Sequence, residues 1–321
     1  MTKIAVISYK TLNVGDEIQS LATKKLLERL GHTVNLTIDR EELNSFHAEE
    51  KVKLICNGWF MEQPEHWPPS DSIEPLFISM HLSHESDSAK FLTDKKLLSY
   101  YKKFAPIGCR DYHTLRTLVK AGIPAYYSGC MTFTFENEYK ERSNHIVFAD
   151  PFYRLRPLNY EKYIAEKLIP EDERKNIVWV THKRQSRNLL QEERVRNTEE
   201  LIKLYATAKL VITSRMHAAL TCLALETPVI FVDSGYERKS SRNRFAGLID
   251  NVPLLESDAL PFAKRSIFHY MARVLKLYKF SKKLKHLDID WDNPPKSASD
   301  ISQLAAGLRK SVADFVPVHP Q

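Results

Sequence analysis

Apolar positions along this 321-residue chain fall into short continuous runs that alternate with stretches of helical spacing. KIAVISY, from residue 3, has the length and composition of a buried strand, and the TLNVGDE after it is turn-rich. IQSLATKKLLERLG repeats its apolar residues at helical spacing and predicts a helix stopped at Gly31, after which HTVNLTI is extended. VKLICNG and PLFISMH read as further strands, and the prolines of the intervening WFMEQPEHWPPS predict a loop. A helix over AKFLTDKKLLSYYKKF then leads to a strand at API, a turn GCRD, a helix YHTLRTLVKAG and a strand PAYYS.

The same grammar restarts with HIVFADP, a helical LNYEKYIAEKLI, the strand NIVWVTH and a long helix through NTEELIKLYATA. It closes with the strand KLVIT, the helix MHAALTCLALE and the strand PVIFVDS. Alternating strands and helices predict parallel sheets covered on both faces. The polar ENEYKERSNH places a boundary near residues 137 to 146. The expected fold is therefore α/β with two Rossmann-like lobes, residues 1–140 and 141–262, and a basic helical tail over 263–321. That tail opens with AKRSIFHYMARVLKLYKFSKKLKHL and ends in a short helix, SDISQLAAGLRKSVADFV.

Composition narrows the function classes. At 43% hydrophobic and 27% charged the chain matches an ordinary globular protein. No apolar run approaches the roughly 20 residues that cross a bilayer, and no signal-peptide pattern opens the chain, so the cytoplasm is the expected compartment. The four cysteines are far apart and form no CxxC pair, which favours buried thiols over a disulfide framework or a zinc site. A net charge of +7 favours anionic partners. Nucleic acid is not expected among them, because no recognised binding module is present.

Three segments carry the candidate chemistry, each where a strand hands over to a helix. In TSRMHAAL, Thr213 or Ser214 can cap the helix, and Arg215 and His217 fall in or beside its first turn. Free N–H groups, the helix dipole and an arginine fork make an anion site there, and ligands of open parallel sheets bind beyond the carboxyl ends of the strands. In GCRD, Asp111 is placed to cap the next helix, leaving Arg110 to face the same crevice from the first lobe. An anion held between Arg110 and Arg215 would couple the two lobes.

In the third segment, Asn13, Gly15 and Asp16 follow the first strand. Asp16 serves there either as a helix cap or in binding or deprotonating an acceptor hydroxyl. GxGxxG and GxxxxGK[ST] are both absent, which disfavours dinucleotide binding and P-loop chemistry. The basic cluster Arg238, Lys239, Arg242 and Arg244 reads either as an anion-gripping loop or as a solvated charge run. Lys183 and Arg184 have the right topological position after the strand NIVWVTH, and His81 and His84 are weak metal-ligand candidates without a suitably spaced partner.

NVGDEIQSLA, GCRDYHTLRTLVKAGIPAYYSGCMT and TSRMHAALTCLALETPVIFV, in that order, resemble the polysaccharide pyruvyl transferase family, and NGWF, WPPS and RFAGL extend the likeness over roughly residues 4 to 250. The resemblance implies a GT-B-like pair of lobes and transfer of a pyruvyl group from phosphoenolpyruvate to a sugar, usually as a ketal across two hydroxyls. Phosphoenolpyruvate is then a donor substrate, and no cofactor or metal is implied. The resemblance carries donor binding to Arg110, Arg215, Met216 and His217. His217 is the expected acid and Asp16 the expected base, with Asn13, Gly15, Asn57, Lys183, Arg238, Arg242 and Arg244 on the acceptor side or its loops. The acceptor is expected to be a sugar, with a lipid-linked one served by contact of the basic tail with an anionic membrane surface. A GT-B glycosyltransferase using a nucleotide sugar and a non-catalytic sugar-binding or assembly protein of the same fold are the rival readings.

Overall fold

The computed structural model describes residues 3–60, 64–82, 94–151, 165, 167–232, 245, 247–248, 252–255, 287–297 and 300–317. Two parallel sheets form the frame. The first orders its strands β2-β1-β3-β4-β5-β6: β1 (Lys3–Ser8), β2 (Leu36–Asp39), β3 (Val52–Phe60), β4 (Ile73–Leu82), β5 (Ile107–Cys109) and β6 (Ala125–Tyr127). The second orders its strands β11-β10-β9-β7-β8: β7 (Ile146–Ala149), β8 (Ile177–Val180), β9 (Leu210–Thr213), β10 (Val229–Val232) and β11 (Leu254–Leu255). Strands β7, β9 and β10 are buried at every position, as strands covered on both faces must be.

In each sheet the strand order reverses once, between β1 and β3 in the first and between β7 and β9 in the second. The loops leaving these strands open a crevice at the carboxyl edge, the usual ligand position of doubly wound sheets. Helices α1 (Val14–Arg29), α2 (Lys95–Lys103), α3 (Tyr112–Lys120), α4 (Gln191–Thr207) and α5 (Met216–Ala224) cover the faces, and α6 (Ser302–Phe315) ends the described chain.

One apolar core runs through both lobes. It joins Val6, Ile55 and Ile78 of the first sheet to Ile18 and Leu21 of α1, and these to Val147, Val211 and Leu220 of the second lobe. Ala305, Leu308 and Val312 of α6 belong to it as well. Helix α6 is further held by a 3.1 Å ion pair from Arg309 to Glu136. Residues 256–286, the basic stretch of the expected tail, lie outside the described residues.

The lobes are also stitched along the loop after β1. Val14 N–H donates to the His182 carbonyl (2.9 Å) and Arg184 N–H to the Leu12 carbonyl (2.8 Å). Buried Glu17 on α1 accepts from Arg184 (3.2 Å) and Arg194 (3.1 Å) of the second lobe. The first helical turn of one lobe is thus fixed by backbone and charge to the other.

Several boundaries depart from the sequence reading. Strand β3 continues through Trp59 and Phe60 into the expected loop, because Gly58, at φ +114°, lets the backbone pass against the Tyr9 hydroxyl, where a Cβ would collide. The strand expected at API is instead Ile107–Cys109, so Gly108 and Cys109 of the expected turn are in the sheet. Asn13, not Asp16, caps α1, its side chain accepting from Gly15 N–H. Arg215 itself takes the cap position of α5, its N–H bonded to Thr213 Oγ1 at 2.9 Å, while the Ser214 hydroxyl turns away to the Asp150 carbonyl. All four cysteines are buried free thiols.

Candidate active site

The cleft at the carboxyl edge is walled by the segment after β1, the ends of β3 and β4 and the residue after β5 on one side, and by the segments after β8 and β9 on the other. Asn13, Asp16, Trp59, His81 and Arg110 line it from the first lobe; His182, Ser214, Arg215, Met216 and His217 line it from the second.

Arg215 is aimed by an acid that follows β7. Its Nε donates to Asp150 Oδ2 at 2.9 Å. The same oxygen accepts from His182 N–H (2.8 Å) and Thr181 Oγ1 (3.2 Å), so the acid is tethered from β8 while it steers an arginine from β9. Asp150 sits at φ +48°, a left-handed conformation that aspartate tolerates better than most residues.

Arg110 reaches the cleft from the end of β5 and is almost fully enclosed. Its Nη1 donates to Gln19 Oε1 at 3.0 Å and approaches His217 Nε2 at 3.4 Å. Arginine can only donate, so Nε2 is the accepting atom in this contact. Arg110 Nε and the indole Nε1 of Trp59 are buried donors without a hydrogen-bond partner among the described residues. Two orphaned donors in one cleft are costly unless a ligand accepts from them.

His217 is fitted against the first turn of α1, since a Cβ on Gly15 would overlap its Nδ1. Asp16 is buried beside it. Its carboxylate accepts from Thr11 Oγ1 (2.7 Å) and Asn13 Nδ2 (3.3 Å). Burial raises its pKa above the usual carboxylate value, against the pull of Thr11, Arg40, Arg110 and Arg184.

Two histidines complete the walls. His182 pairs with the Tyr205 hydroxyl at 2.6 Å, and burial, together with the nearby charge of Arg215, drops its pKa to about 3. His81 Nδ1 lies 2.6 Å from Asp111 Oδ2, while Asp111 Oδ1 caps α3 by accepting from Thr114 N–H at 2.9 Å. Burial works to raise the Asp111 pKa, but His81, Arg110 and the Thr114 N–H outweigh it and hold the carboxyl below its usual range.

The structure thus brings Arg110, Arg215, Met216, His217, Asn13 and Asp16 into one cleft, with Gly15 in its wall. It places Asn57 elsewhere: Asn57 is bonded to Thr23 Oγ1 (3.1 Å) and the Gln19 carbonyl (3.3 Å) and braces α1 against β3. Lys183 pairs with Asn13 through the backbone but faces a second cavity, shared with Val14 and Leu201. Arg238, Lys239, Arg242, Arg244 and His84 lie outside the described residues. Asp150, Trp59 and His182 were not among the expected site residues, and His81 was considered only as a metal ligand.

The family described as polysaccharide pyruvyl transferase matches residues 13–236. No curated protein matches the chain. Among solved structures, the chain is similar to an uncharacterized protein from Klebsiella pneumoniae subsp. pneumoniae NTUH-K2044, at 14% identity over 79% of this chain and 93% of that one, with a TM-score of 0.47. It is also similar to S. aureus MnaA, solved with UDP, at 11% identity over 100% of this chain and 99% of that one, with a TM-score of 0.43.

Proposed function

The chain belongs to the polysaccharide pyruvyl transferase family, and from that premise we propose that it transfers the pyruvyl group of phosphoenolpyruvate to two hydroxyls of an acceptor sugar as a ketal. The observation that carries the proposal is the convergence of Arg110 and Arg215, one from each lobe, on a cleft that also holds His217. A donor with a carboxylate and a phosphate needs several fixed cationic donors, and forked guanidinium groups suit both anions. Arg215, aimed by Asp150, and Arg110, with its orphaned Nε, would supply them, and the Trp59 indole N–H adds a neutral donor.

The chemistry balances in this cleft. A proton delivered to C3 of the enol leaves a cationic C2; one hydroxyl oxygen attacks C2, the C2–O bond to phosphate breaks with its electron pair, and the second hydroxyl closes the ketal. Overall the sugar gives up two protons, C3 takes up one and the departing phosphate takes up one. His217 is the proposed acid. A phosphate entering beside Arg110 would replace the contact at Nε2 and draw a proton onto that nitrogen, a step of the kind that contributes on the order of 10² to 10⁴ in rate. Asp16, with both oxygens engaged by Thr11 and Asn13, holds the acceptor-side loop in this scheme rather than taking the proton.

The reaction is proposed for the cytoplasm, in surface or capsular polysaccharide synthesis, with the basic stretch near residues 263–287 resting on anionic lipid where a lipid-linked acceptor is presented. Among the described residues no helix is long and apolar enough to cross a membrane. The test is release of inorganic phosphate from phosphoenolpyruvate across a panel of sugar acceptors. Release that requires both donor and acceptor supports the proposal; turnover of a nucleotide sugar in its place contradicts it.

A further inference from the structure

We propose that His81, backed by Asp111, is the base that deprotonates the acceptor hydroxyls, acting across the cleft from His217; this rests on the pyruvyl-transfer reading above. Pyruvyl transfer needs two proton movements at once, one toward C3 and one away from the sugar oxygen. Of the three histidines lining the cleft, His182 is paired with the Tyr205 hydroxyl, and His81 and His217 face it from different lobes.

His81 owes its place to an irregularity in β4. Register with β3 runs Cys56 to Phe77 and then Gly58 to Met80, so β4 carries one extra residue, and Ser79 within it sits at φ +52°. Phe77 before the bulge and Met80 and Leu82 beyond it all pack in the same core, with α2. Strict alternation would have put His81 on that face. The bulge swaps the faces and delivers the imidazole to the cleft, with the Trp59 ring 6.4 Å away.

Asp111 makes the ring a base. Its Oδ2 engages Nδ1 at 2.6 Å, which fixes the proton there and assigns proton transfer to Nε2. Asp111 is itself immobilised, one oxygen on His81 and the other on the first turn of α3. As the sugar oxygen bonds to C2, its proton passes to Nε2 and the carboxylate balances the imidazolium. When the C2–O bond to phosphate breaks, that proton leaves with the phosphate. The second hydroxyl repeats the transfer, and its proton returns to solvent in place of the one spent on C3. His81 is thus a catalytic residue and Asp111 its positioning residue.

The test uses the full-length protein with phosphoenolpyruvate and the sugar that gives the fastest phosphate release. H81Q is expected to lose about a hundredfold to ten-thousandfold in kcat while binding phosphoenolpyruvate as the wild type does by calorimetry. D111N decides independently, because asparagine keeps the oxygen that caps α3 but presents an amide N–H to Nδ1, which forces the ring proton onto Nε2. It should fall by a similar factor in kcat, with unchanged donor affinity and an intact thermal transition. Imidazole added to H81A should restore part of the lost rate. Wild-type turnover in H81Q or D111N overturns the assignment, as does loss of donor binding in either, which would place the pair in the donor clamp instead. If the wild type itself releases no phosphate with any acceptor, the pyruvyl-transfer reading fails, and the base assignment fails with it; inactivity confined to the variants leaves that reading standing.

Discussion

Gly15 and His217 occupy adjacent first turns of α1 and α5, so close that a Cβ on the glycine would overlap Nδ1 of the imidazole. The imidazole of one lobe is therefore fitted to a missing side chain in the other. G15A has ordinary helical backbone angles available and gains up to about 1 kcal/mol of helix propensity. Overpacking against a fixed ring costs about 1–3 kcal/mol. We expect net destabilisation in urea unfolding and a fall in kcat. Wild-type turnover in G15A would show that the position of His217 does not matter.

The Asp150–Arg215 pair gives a second test. D150N keeps the left-handed backbone, which asparagine also tolerates, and removes only the charge that orients the guanidinium. Phosphoenolpyruvate affinity should fall by about tenfold, equivalent to about 1.4 kcal/mol. Calorimetric titration of the variant checks this, and unchanged affinity would remove Arg215 from the donor clamp.

Much of this arrangement was legible in the sequence, and the failures have physical causes. Runs such as IAVI within β1 and VIFV in β10 are apolar throughout because parallel strands are covered on both faces, so the alternation and the strand ends could be read directly. Arg110 and Arg215 stood out for that reason. Asp150 did not, because its role depends on a left-handed turn that leaves no mark on HIVFADP. His81 was hidden by a bulge that reverses the face of β4, and Trp59 by a strand that outruns its turn signals through Gly58. Asn57 was expected near the acceptor, but its side chain is consumed by Thr23 and the Gln19 carbonyl.

Glu17 holds two arginines of the opposite lobe from a buried position. E17Q leaves those cations without their counter-charge, which costs about 3–5 kcal/mol in comparable buried pairs. Chemical denaturation should register that loss. A change below about 0.5 kcal/mol would mean the cluster does not lock the lobes.

His182 sets an acid limit on stability. Its folded pKa is lowered from 6.5 to about 3, so between those values the unfolded chain binds a proton that the folded chain refuses. Stability contributed by this group is complete above pH 6.5 and is lost as pH falls toward 3, by up to about 1.4 kcal/mol per pH unit. Urea midpoints measured from pH 7 down to pH 4 should therefore decline less steeply in H182Q than in the wild type. Parallel curves would contradict the assignment.

The most direct test of the central claim is the mass of the product formed from phosphoenolpyruvate and a sugar acceptor. Pyruvyl transfer as a ketal predicts the acceptor mass plus one pyruvic acid less one water, absent when Arg110 or Arg215 is replaced by alanine. An unmodified acceptor across the whole panel, or one enlarged by a sugar unit from a nucleotide sugar, would contradict it.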